Sequence, residues 1–110
     1  MIFADELYAD EKLSKSYRTV LRRVRDDKIP MTWYLIARPQ SGRFPFNIYP
    51  AYLLKERYYR ELQETVVGVA SSKDNAIALA GVLAVREQEG ESVFPDAREK
   101  SAADTEEDRA

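Results

Sequence analysis

Apolar residues recur along this chain with more than one spacing, and each change of spacing marks a change of local structure. Over residues 10–27, Leu13, Tyr17, Val20, Leu21 and Val24 fall in one arc about 100° wide on a helical wheel. Lys12, Lys15, Arg18, Arg22, Arg23 and Arg25 take the opposite side. The pattern predicts an amphipathic helix, with Asp10 and Glu11 at the end where the helix dipole favours negative charge and Pro30 as its stop. Residues 31–38 (MTWYLIAR) then lose the helical period. Aromatic and β-branched residues crowd a run too short for a helix before Pro39, which predicts a strand covered on both faces.

The loop PQSGR, with Gly42 free to take a positive φ, leads into a returning strand over residues 44–49. Pro45 assigns that strand to a sheet edge. Pro50 suits the first turn of a second helix, over residues 51–62. That helix would turn Tyr52, Leu54, Tyr58, Tyr59 and Leu62 inward. A short apolar run over residues 65–70 (TVVGVA) predicts a buried strand. Ser71 and Asp74 at capping-box spacing then open a last helix over residues 72–88, closed by Gly90.

The order α-β-β-α-β-α, with a hairpin followed by a helix and a third strand, predicts an α+β fold. The expected sheet has three mainly antiparallel strands in the order 2-1-3, with the helices mainly on one face. Residues 1–88 make a single domain. Over residues 89–110 periodicity is lost and acids outnumber bases eight to three, which predicts a disordered acidic tail. The charge is therefore uneven. Residues 1–88 carry fourteen Lys and Arg against eleven Asp and Glu, a balance of +3, while the tail carries −5.

Composition narrows the chemistry. The 110 residues include neither cysteine nor histidine. Disulfides, thiolate metal sites, and the side chains most used as bases, nucleophiles and ligands near neutral pH are all missing. The expectation is a protein that is not an enzyme and takes no cofactor or metal. The longest apolar run, residues 76–85, is about half a membrane span. No basic-then-apolar leader precedes it, so a cytoplasmic location without membrane association is expected.

Four features remain to carry function. Lys15, Arg18, Arg22 and Arg25 lie on the basic face of the first helix, where they would track a phosphate backbone or simply face solvent. Eight of the twelve aromatic residues lie between Trp33 and Tyr59, interleaved with arginines and lysine. They suit either base stacking or a core and interface. The last helix is apolar all round, with Ala76, Ala80, Gly81 and Ala84 small enough for close approach. A homodimer is expected, with this helix or the open sheet face as the contact and Leu79, Val82, Leu83, Tyr34 and Tyr49 as the candidate interface residues. The turn from Gly68 to Asp74 offers a helix N-terminus to an anion or, more simply, caps its own helix.

The segments WYLIA, YLLKERYYR and TVVGVASSKDNAIALAGVLA, together with the basic helix, resemble small uncharacterised α+β proteins of clostridial genomes. The resemblance covers roughly residues 11–87 and implies one domain with a dispensable tail. No activity, cofactor or partner is established for that group, so no functional residue carries over. The expected function is a non-catalytic interaction module acting as a homodimer on a protein partner. The alternative is a nucleic-acid-associated accessory protein using the basic helix and the aromatic hairpin.

Overall fold

In the computed structural model, which describes residues 1–40 and 45–91, two strands apolar on both sides form the middle of the molecule. They are β2 (Tyr34–Pro39) and β4 (Glu64–Ala70), paired antiparallel, with Leu35, Ile36, Val66, Val67 and Val69 fully buried. β3 (Asn47–Pro50) lies antiparallel to β2 at one edge, so the three expected strands are adjacent in the expected order.

The sheet itself differs from expectation. It has four strands, in the order β1-β4-β2-β3, because β1 (Ile2–Ala9) adds to the free edge of β4 in parallel. Asp5 and Glu6 interrupt any alternation in β1, so its local pattern does not announce a strand. The exposed backbone edge of β4 supplies the partner that residues 2–9 lack on their own.

Helices cover both faces of this sheet, which corrects the expectation of one covered face. The first amphipathic segment forms α1 (Glu11–Ser14) and α2 (Tyr17–Arg25). Together they bury Leu13 and Val20 with Leu7, Leu35, Ala37, Val66 and Val69. The interruption falls at Ser14-Lys15-Ser16. There the Ser14 hydroxyl donates to the Glu11 carbonyl at 2.8 Å, competing with the helical backbone. On the other face α4 (Lys73–Gln88) packs Ala76 and Leu83 on Ile36, Phe46, Val67 and Ala70. Two covered faces follow from the strands themselves, since consecutive apolar residues in β2 and β4 point to opposite sides.

One irregularity adjusts the register. Ile36 pairs with Gly68 and Ala37 with Val66, leaving Val67 as the extra residue of a bulge. Neighbouring positions 67 and 68 then crowd the α4 side. A Cβ on Gly68 would stand 3.3 Å from the Tyr8 carbonyl and 3.4 Å from Ile36 Cδ1, so only glycine fits without displacing a neighbour.

The expected helix over residues 51–62 is also corrected. A 3-10 helix (Ala51–Lys55) and the single-turn α3 (Arg57–Arg60) replace it, separated by Glu56 in extended conformation. On a continuous helix Leu54 and Tyr59 would stand about 140° apart. The break lets Leu54 pack on the first core and Tyr59 meet Tyr49, while Tyr52 and Tyr58, expected inside, are exposed. Loop residues 41–43, Phe44 of the expected second strand, and the acidic tail beyond Glu91 lie outside the described residues.

Candidate functional site

Asp10 joins the two sides of the molecule. It is only 7% exposed, and its carboxylate caps α1 by accepting from the Leu13 amide at 2.8 Å. The same side chain accepts from the Ser71 amide at 2.8 Å, the Ser71 hydroxyl at 2.6 Å and Asn75 Nδ2 at 2.9 Å. Burial pushes the Asp10 carboxyl up, but these bonds from Ser71, Leu13 and Asn75 together outweigh it and hold it below its ordinary value.

This geometry changes the reading of the Gly68–Asp74 turn. Its donors already hold an anion, and that anion is Asp10. The turn also corrects the expected cap of α4. Ser72, rather than Ser71, is the N-cap and accepts from the Asn75 amide at 3.1 Å, because the Ser71 hydroxyl is engaged by Asp10.

Above Asp10 lies an open groove of about 450 Å³ between α1 and the N-terminal half of α4. Lys12 and Lys15 stand on one wall, and Ala78, Leu79 and Val82 on the other. Leu79 and Val82 are thus brought together with Lys15, although sequence reasoning assigned them to two different surfaces. Around the rim, the outward face of α4 exposes Ile77 (52%), Val82 (49%) and Val85 (52%). Leu83 lies on the inward side, fully buried against the sheet, so it belongs to the core.

The two interface tyrosines separate. Tyr34 packs half-buried beneath α4, whereas Tyr49 packs on the opposite core. The Tyr49 hydroxyl donates to Glu64 Oε2 at 2.7 Å, and its ring meets Tyr59 edge-on at 6.0 Å. Burial, with the adjacent Glu64 carboxylate, pushes the Tyr49 hydroxyl up to about 12.

On α2, Arg18, Arg22 and Arg25 are exposed at spacings of four and three, which places them along one side of the helix. None of the three forms an ion pair among the described residues. Arg25 also lines a second cleft, about 350 Å³, with Phe3, Ala4, Asp5, Leu21 and Val24. The aromatic hairpin is largely consumed by packing. Trp33 and Phe46 are buried, and Phe46 lies under the Arg38 guanidinium at 4.9 Å while Arg38 pairs with Glu87 of α4.

Among the described residues, no group of three or more acidic side chains converges to hold a metal ion. No helix there is long and apolar enough to cross a membrane. No known protein family matches the chain, and neither a curated protein nor a solved structure matches it.

Sequence reasoning missed the Asp10 cluster and the Arg38–Glu87 pair. Asp10 showed only a helix-start signal, and its partners Ser71 and Asn75 lie 61 and 65 residues away. No local spacing encodes such a meeting.

Proposed function

We propose that this chain is a non-catalytic protein-interaction module of the cytoplasm that works as a homodimer and presents a shared surface to a protein partner. The observation that carries this reading is the outward face of α4. Ile77, Val82 and Val85 are each about half exposed on a helix that already buries Ala76 and Leu83 on its other side. Apolar side chains gathered on one exposed helix face are a common mark of an interaction surface. They adjoin a groove whose lysines add charge beside an apolar wall, the combination of apolar centre and polar rim found at protein interfaces. Sedimentation velocity at tens of micromolar is the test. A dimer is expected, and a monomer across that range overturns the reading.

A second reading rests on Arg18, Arg22 and Arg25. Three exposed guanidinium groups spaced along one helix face suit the backbone of a nucleic acid. Salt-dependent binding of oligonucleotides by residues 1–91, lost in the Arg22→Glu/Arg25→Glu double variant, would support it. Binding that persists in that variant would exclude this face.

A further inference from the structure

Within the homodimer reading above, on which this inference rests, we infer that α4 is the dimer seam and crosses its copy antiparallel, with Gly81 on the two-fold axis. The first ground is the cost of Gly81. Glycine inside a helix costs about 0.5–1 kcal/mol relative to alanine. A Cβ added at Gly81 would meet nothing within 4 Å, so nothing else in the described chain requires the residue to be small. Close approach of another backbone from outside does require it, since a bare Cα lets two helices come nearer than side chains allow.

The second ground is self-complementarity. Asp74, Ile77, Gly81, Val85 and Gln88 run in one line along the outward side of α4, at helical spacings of three and four. A two-fold axis through Gly81 sets each residue opposite the one equally far beyond the glycine. Ile77 then faces Val85 of the partner subunit, and Asp74 faces Gln88 of the partner subunit. Apolar meets apolar, and a carboxylate meets a carboxamide that donates to it. A parallel pair would instead set Asp74 against Asp74. The antiparallel pair also opposes the two helix dipoles, setting the positive first turn of one α4 near the negative last turn of the other. This match of the line to itself, in shape and in hydrogen-bonding polarity, selects a second copy as the occupant. Lys12 and Lys15, across the groove from Val82, would border the seam and leave the basic side of α2 free on the opposite face of each sheet.

The chain has no cysteine, so one substitution gives a unique thiol. Ile77→Cys in one chain and Val85→Cys in another set two thiols opposite each other across the seam, clear of the close approach at Gly81, and Arg22→Cys on α2 serves as the control. Mild oxidation of the full chain should convert an equimolar mixture of Ile77→Cys and Val85→Cys to a covalent dimer on a non-reducing gel and leave Arg22→Cys monomeric on the same gel. Val85→Lys should weaken association by about tenfold or more in sedimentation, with the circular-dichroism spectrum unchanged. If the unsubstituted chain sediments as a dimer, yet the Ile77→Cys and Val85→Cys mixture does not cross-link and Val85→Lys leaves association unaltered, the α4 seam is overturned and the homodimer stands. If the unsubstituted chain is a monomer, both fall together.

Discussion

The helices α2 and α4 cover opposite faces of one sheet, yet they were written by different rules. α2 keeps its apolar residues in a single arc, Val20 inward with Leu21 and Val24 beside it, and gives its remaining surface to arginines and other polar side chains. Its outer face is complete in water. α4 buries Ala76 and Leu83 in the same way but repeats apolar residues on its outer side. The sheet covers one side of α4, and Ile77, Val82 and Val85 on the other side stay about half exposed. The comparison teaches that the width of a helix's apolar arc reports how many neighbours it expects. Here the arc of α2 matches the one neighbour it has, and α4 carries apolar residues beyond the side that its sheet covers.

The sharpest way to break that comparison lies within α4 itself. Leu83→Ala should cost about 2–5 kcal/mol in chemical denaturation, because it opens a cavity against the sheet. Val85→Ala, two residues on and facing outward, should cost less than about 0.5 kcal/mol at concentrations low enough to keep the chain monomeric. Equal losses at such dilution would mean that the two sides of α4 do not differ as described.

The next largest effect tests the link between the two helical layers. Asp10→Ala removes the cap of α1 and strands the Ser71 and Asn75 donors, and should cost about 2–4 kcal/mol. The direction of the Asp10 shift adds a pH signature. Folding holds this carboxyl below its ordinary 3.8, so its ionised form contributes stability that is present above that value. That contribution is lost as the pH falls through the folded-state pKa. Denaturation series between about pH 5 and pH 2 should therefore show the unsubstituted chain losing its advantage over Asp10→Asn. A constant difference across that range would contradict the proposed bonds.

A smaller effect belongs to the α2 side. The Tyr49 hydroxyl, raised from 10.0 to about 12, favours its neutral donating form in the folded chain. Its contribution is complete below pH 10 and lost as the pH rises through about 12. Ultraviolet titration should show a late-titrating hydroxyl that is lost in Tyr49→Phe, and that variant should lose about 1 kcal/mol near neutral pH. The smallest effect is expected on the outer face of α2. Arg22→Glu should shift stability by no more than about 0.5 kcal/mol, and a larger loss would show that this face is not free in water.

What the sequence determined by itself was whatever depends on a local period or a local stop. The apolar arc of residues 13–24 announced the helical segment that forms α1 and α2, though not its break between Ser14 and Tyr17, and the unbroken apolar runs of β2 and β4 marked them as central strands. Pro45 assigned β3 to an edge, and Gly90, at φ 91°, closes α4 as its position implied. The all-round apolar character of α4 was legible as well, although which of its residues are core and which outward was not. That division, Leu83 inside and Val82 outside, depends on the angle at which the helix meets the sheet.

Tertiary structure alone decided the rest. It made a strand of residues 2–9 by offering the edge of β4, and it broke residues 51–62 so that Leu54 and Tyr59 could both pack. It also moved the cap of α4 from Ser71 to Ser72 by giving Ser71 to Asp10. Spacing along a chain records which side of an element is buried. It carries no record of which distant residue waits there, because a hydrogen bond across 61 residues leaves no period in the sequence.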